Sequence, residues 1–116
     1  MRIENTKVIK LTINDDESKV IEFDPTDINF VDGFYELIDM VQDVKIPEGL
    51  DTRGQIKFMK QFMQKLNVQI DEIFGEGTCQ KAFGRSLSFE QYQQFFEGIT
   101  PYIKTVREEN VSKYTD

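Results

Sequence analysis

The residues able to do chemistry are few, and their spacing argues against most catalytic schemes. The 116-residue chain has no histidine and one cysteine, Cys79. Without imidazole there is no ordinary general base near neutral pH, no serine triad and no His-containing zinc site. One thiol cannot build a four-thiolate centre or an intrachain disulfide, and as a nucleophile Cys79 would lack a basic partner. It reads as a buried or incidental thiol. Asn14-Asp15-Asp16-Glu17 gathers oxygen ligands, but the twelve-residue calcium-loop spacing and its closing bidentate glutamate are missing. A solvated hairpin turn is the plainer reading. Gly75-Glu76-Gly77-Thr78 has the glycines of a phosphate loop, yet no Gly-Lys-Ser/Thr follows, position 80 is Gln80, and Glu76 would repel an anion. It reads as a helix-to-helix corner made by Gly75, Gly77 and Thr78, with Gly84 ending the short turn that follows. The neighbouring carboxylates Asp71-Glu72 and Glu108-Glu109 point to solvent on helices, whereas glycosidase chemistry needs two facing each other across a cleft. The set predicts no catalytic residue, no cofactor and no metal, and hence a non-enzyme.

The elements that hold these residues are organised by one long amphipathic helix over 51–74. Ile56, Met59, Phe62, Met63, Leu66, Ile70 and Ile73 recur in steps of three and four, which places them on one face. Lys57, Lys60, Gln64, Lys65, Gln69 and Glu72 fill the watery side. At about 1.5 Å per residue this rod is roughly 35 Å long, the width of a small domain. Ahead of it, residues 7–24 read as a β-hairpin: Ile9, Leu11 and Ile13 alternate with polar residues, the turn follows, and Ile21 and Phe23 resume the inward face. Two strands alone are barely stable, so that face must lie on a helix. A helix over 25–44 carries Phe30, Phe34, Leu37, Ile38 and Val41. Asp24 with Pro25 can start it, or the start can slip to about Ile28. Pro47 and Gly49 make 45–50 a linker, after which Asp51 or Thr52 can cap the long helix. Gly75 suits a left-handed cap, Thr78 can cap a short turn over 78–83, and Ser88-Phe89-Glu90-Gln91 fits a capping box flanked by Leu87 and Tyr92. The last helix, 88–109, turns inward Tyr92, Phe95, Phe96, Ile99, Ile103 and Val106, with a kink expected near Pro101. Residues 111–116 are expected to fray. The fold class is mainly α with an N-terminal hairpin (α+β): three main helices and a short turn, built around the long helix as a single domain over 1–116.

A net charge of −7 opposes binding to nucleic acid or to an anionic membrane, and no apolar run approaches the length of a membrane span. With one cysteine and a polar beginning to the chain, the expected compartment is the cytoplasm. What the chemistry leaves is a surface for protein. Met59 and Met63 lie beside Phe58 and Phe62, while Phe58 and Phe74 on the long helix, and Phe89 and Tyr102 on the last, fall off the main apolar lines. Flexible, polarisable methionines among aromatics suit adaptable protein contacts. The candidate protein-binding set is therefore Phe58, Met59, Phe62, Met63, Phe74, Phe89 and Tyr102.

The stretch Ile70-Asp71-Glu72-Ile73-Phe74-Gly75-Glu76-Gly77-Thr78, then Lys81-Ala82-Phe83-Gly84, then Phe95-Phe96-Glu97 and Ile99-Thr100-Pro101-Tyr102-Ile103, resembles the tail assembly chaperones of long-tailed phages and prophages of Gram-positive bacteria. The hairpin entering Phe23-Asp24-Pro25 is similar too. The resemblance implies a mostly helical, self-associating, non-enzymatic helper that coats the tape-measure protein until tail-tube subunits replace it. It also implies, in many phages, a longer form made by ribosomal frameshifting that contacts tube protein; this chain would match the short form. The hairpin edge or the Gly75–Thr78 corner would then join neighbouring copies. Two other readings stand beside it: a different phage structural part, such as a connector or tube subunit, and an acidic inhibitor that mimics DNA. The mimic would align its carboxylates on one face, whereas they read as scattered here, with Lys57, Lys60 and Lys65 interleaved.

Overall fold

The computed structural model describes residues 8–115, and the side chains of residues 8–103. The order is β1 (Ile9–Ile13), β2 (Asp16–Phe23), α1 (Ile28–Asp43), α2 (Thr52–Phe74), α3 (Thr78–Phe83) and α4 (Phe89–Thr115). The class is the one the periodicities predict, a hairpin followed by helices.

The hairpin turn is tighter than the run of four polar residues implies. Only Asn14 and Asp15 form it, with φ of 54° and 60°. Two consecutive positive φ values match the right-handed strand twist, and asparagine and aspartate tolerate them best after glycine. Asp16 and Glu17 already belong to β2. The register then jumps, from Ile13 opposite Asp16 to Thr12 opposite Val20, so β2 bulges between them. The Asp16 carboxylate steadies the bulge by accepting from Ser18 N at 3.0 Å and Ser18 Oγ at 2.6 Å. Those bonds hold its carboxyl below the usual range. Lys7, the expected first residue of the hairpin, lies outside the described residues.

Helix α1 starts at Ile28, the later of the two starts open to the sequence. Asp27 is its cap and accepts from Asn29 N at 2.9 Å. Asp24 instead closes the preceding turn, accepting from Thr26 N at 2.9 Å. Asp51 caps α2 through Gly54 N at 2.7 Å. Gly75 ends α2 at φ 116°, ψ 149°, a region open to glycine but not the left-handed helical well expected for it. Gly77 takes that well instead, at φ 87°, ψ −1°, and precedes α3. Thr78 is no cap: it is buried, and its hydroxyl donates back to Gly75 O at 2.8 Å. The first turn of α3 is served from outside by Asp71, whose carboxylate accepts from Cys79 N at 3.0 Å. Gly75→Ala is expected to cost about 1–3 kcal/mol, although open space surrounds the position of the added Cβ. Urea melts of the two proteins measure this backbone cost free of any steric one.

Helix α4 runs on to Thr115, past the expected end near 109 and through most of the stretch expected to fray; Asp116 lies outside the described residues. Its path includes Pro101, which cannot donate to the Glu97 carbonyl. Thr100 adds a local bond, its hydroxyl donating to Phe96 O at 2.7 Å.

The core forms where the inward face of β2 meets the stripes of all four helices. Phe34, Leu37, Leu66, Ile70 and Ile103 are 0% exposed. An aromatic cluster links the layers: Phe23 stacks on Phe30 at 5.4 Å, and Phe74 sets its ring edgewise to Phe30 at 5.0 Å and to Phe95 at 5.3 Å. The cluster continues into α3, where Phe83 sets its ring edgewise to Phe95 at 5.4 Å and stacks on Tyr92 with ring centroids 3.8 Å apart. Ile73 of the expected stripe is half-buried, and Val106 lies beyond the described side chains.

Candidate apolar groove at the free end of the long helix

The length mismatch between α1 and α2 creates the site. A Cβ added to Gly33 would lie 2.9 Å from Cγ1 of Ile73, so the two helices touch closely there. The linker 44–51 reaches at most about 28 Å at ~3.5 Å per residue, which forces α2 to run antiparallel to α1. Counting back along both at about 1.5 Å per residue, the end of α1 at Asp43 falls level with Met63. The first ten or so residues of α2 therefore extend about 15 Å beyond α1, and the apolar stripe continues along them.

That overhang is only partly covered. The linker folds back with Ile46, and the chain entering α4 brings Leu87 and Phe89. Between them and Thr52, Gln55, Ile56, Met59, Lys60 and Met63 lies an open groove of about 590 Å³ with an almost wholly apolar lining. Ile56 is 62% exposed, Ile46 46% and Phe89 40%, although all are large and apolar. Full burial of such a side chain is worth about 1.5–3 kcal/mol, so this end of the molecule holds unspent hydrophobic energy.

The structure gathers three of the seven sequence candidates here: Met59, Phe89 and, at the floor, Met63, which is only 2% exposed. Phe58 is half-buried and does not line the groove. Phe62 packs partly buried against the core. Phe74 is used inside the subunit, among Phe23, Phe30, Phe34 and Phe95. Tyr102 is 40% exposed at the other end of the core, its ring edgewise to Phe23 at 6.2 Å. The corner residues Gly75, Gly77 and Gly84 have positive φ and shape the α2–α3–α4 connection, with Thr78 buried between. Ile46, Ile56 and Leu87 are groove residues outside the protein-binding set that the sequence suggests. Ile56 sits on the main stripe and so reads as core. The signal that could have found it is helix length, since the 16 residues of α1 cannot pair with the 23 of α2.

The charged surface is segregated between the two helices. Residues 24–44 contain six carboxylates and no lysine or arginine. Asp32, Glu36, Asp39 and Asp43 recur in steps of four and three and are all exposed, an aligned acidic stripe on α1. This corrects the reading of the carboxylates as scattered. The overhang carries the opposite stripe: Arg53, Lys57 and Lys60, at the same steps and all exposed.

The reactive side chains lie elsewhere, packed into a polar seam. The Tyr92 hydroxyl donates a hydrogen bond to Asn67 Oδ1, and Cys79 Sγ donates to Asn67 O at 3.5 Å. Burial, reinforced by nearby Asp71, pushes the Cys79 thiol up to about 12. Burial, then Cys79, pushes the Tyr92 phenol up to about 12 as well. This is the reverse of thiolate activation. Among the described residues no group of acidic, cysteine or histidine side chains could hold a metal ion, and no helix is long and apolar enough to cross a membrane.

Both groups bind their protons more tightly folded than unfolded. Their contribution to stability is intact below the unfolded thiol value of about 8.5 and drains away as pH rises toward 12. Melting temperature is expected to fall from about pH 8.5 upward, with Cys79→Ala delaying the onset to the range where tyrosine ionises. An equally early fall in that variant would show that the thiol is not responsible.

No curated protein and no solved structure matches the chain. Residues 16–116 match a family of unknown function that spans nearly all of the elements above, from β2 through α4. The protein is a member of that family, DUF6673.

Proposed function

We propose that this protein is a non-enzymatic assembly chaperone of a long phage tail, which takes up apolar helical segments of the tape-measure protein in the host cytoplasm and releases them as the tube is built. The observation that carries the reading is the groove at the free end of α2, where Ile56, Met59 and Phe89 leave apolar surface uncovered in the isolated subunit. A groove of this shape, walled by one helix and floored by methionine, suits an amphipathic helix laid along it. The resemblance of the 70–103 region to tail assembly chaperones supplies the kind of client. Several copies along one filament, probing one helix face after another, would hold it by avidity while each contact stays weak enough to displace. Self-association, and contact with tube protein through a longer form, belong to the same proposal.

The test is coexpression with the tape-measure protein of the same gene cluster. The client should stay in the soluble fraction and copurify. Aggregation of the client regardless of this protein would sink the reading.

A second reading is favoured by the aligned acidic stripe of α1: an inhibitor that presents Asp32, Glu36, Asp39 and Asp43 to a basic DNA-binding groove. Such a complex should weaken steeply between 50 and 200 mM salt, as phosphate contacts do. A complex held by apolar burial should barely change over that range.

A further inference from the structure

The groove has a charged bank, and its sign is opposite to that of the protein. The whole chain carries −7, yet residues 45–65 hold Lys45, Arg53, Lys57, Lys60 and Lys65 against only Glu48 and Asp51. On α2 the apolar residues Ile56, Met59 and Met63 line the groove, while Arg53, Lys57 and Lys60 run one residue round the helix along the same length. Lys60 belongs to both, as a lining residue of the groove. All three cations are exposed, and among the described residues none of them makes an ion pair. Asp51 has its carboxylate engaged by Gly54 N and caps the helix, so it does not neutralise the bank. A ligand in the groove would thus touch apolar side chains on its inner face and meet three uncompensated positive charges along one flank.

We propose that the groove selects an amphipathic helix whose apolar stripe is bordered by carboxylates, roughly one per turn, on the side facing Arg53, Lys57 and Lys60. The inference rests on the docking role given to the groove above and adds the charge pattern of what docks. The spacing is specific: steps of four and three on α2 meet the same steps on an antiparallel or parallel partner helix, so three charge pairs form in register. Apolar burial would set the affinity, and the bank would set orientation and exclude base-flanked helices, because a like charge opposite each cation repels along the whole contact. A protein with net negative charge would otherwise favour base-flanked segments. The local bank reverses that preference.

Two helical peptides of about 21 residues, four turns or more of helix, test this. They share one leucine stripe at steps of three and four and carry either glutamate or lysine along the flank. Fluorescence anisotropy with the full chain in low salt should show the glutamate peptide binding about tenfold more tightly, since one peptide attracts the three exposed cations and the other repels the same three. The advantage should shrink as salt approaches 0.5 M. The triple charge reversal Arg53→Glu, Lys57→Glu, Lys60→Glu should invert the preference while leaving the far-ultraviolet spectrum and the melt unchanged. Equal binding, or a lysine preference in the native protein, overturns the charge rule and leaves the docking groove standing. Absence of binding by both peptides overturns the docking role as well. Sedimentation of the protein alone covers the remaining occupant. If the reversal breaks up a self-associated species, the bank belongs to a second copy's acidic α1 face, and the proposal is overturned in that copy's favour.

Discussion

Phe34→Ala is expected to lower the unfolding free energy by about 3–5 kcal/mol, the largest effect of any single substitution in the interior. Phe34 is 0% exposed, and its ring lies 5.9 Å from that of Phe96 and 6.3 Å from those of Phe30 and Phe74. It thereby joins α1 to α2 and α4. Truncation removes the transfer energy of the ring and leaves a cavity whose walls come from three helices, so no single element can move in to fill it. A domain of this size has only about 5–15 kcal/mol to lose. The urea midpoint should therefore fall sharply with the slope of the transition little altered. A loss below about 1 kcal/mol would mean that the aromatic cluster is not what holds the hairpin and helices together. Phe89→Ala is the internal control: 40% exposed at the groove, it should cost a small fraction of this.

Ile56→Asp combined with Phe89→Asp should have the opposite profile, leaving the fold intact and abolishing capture of the client. Both side chains are large, apolar and exposed, Ile56 at 62% and Phe89 at 40%, so a carboxylate at either position reaches water in the free subunit and meets only a small burial penalty. In the complex each would be forced against apolar surface. Central anchors of protein interfaces are commonly worth about 2 kcal/mol or more apiece, and each 1.4 kcal/mol is about tenfold in affinity, so the pair should weaken binding by more than about a hundredfold. Copurification with the tape-measure protein should vanish while the melting temperature stays within a few degrees of the parent's. Unchanged capture by a well-folded double variant would remove the groove from the proposal. The Phe34→Ala protein separates the two causes of failure, because it tests what simple instability does to capture.

Much of the architecture is legible in the order of the residues. Alternation at period two marked the hairpin, period 3.6 marked the helices, and Asp51, Pro47, Gly75 and Gly84 set boundaries within a residue or two. These features are local: they follow from pleat, helical repeat and the φ preferences of a few residues. The details that only the structure decides are contests between neighbouring local solutions. Asp24 and Asp27 both offer a capping carboxylate, and the helix takes the one that leaves Pro25 in a separate turn. Gly75 and Gly77 divide between them the positive-φ work expected of Gly75 alone, because α2 must end and α3 begin within three residues.

The amino-acid sequence by itself determined the class of fold, the absence of histidine chemistry and the apolar stripe of the long helix. Only tertiary structure decided which part of that stripe is interior, because burial depends on which helix runs alongside and where it stops. Ile56, Leu66 and Ile70 look alike as members of one periodic series, yet the first is 62% exposed and the others are sealed. Phe74, off the series, packs edgewise against rings from β2, α1 and α4. The aligned charges of α1 and of the overhang were present in the residue order, but only the antiparallel pairing of unequal helices left a groove beside the cationic one.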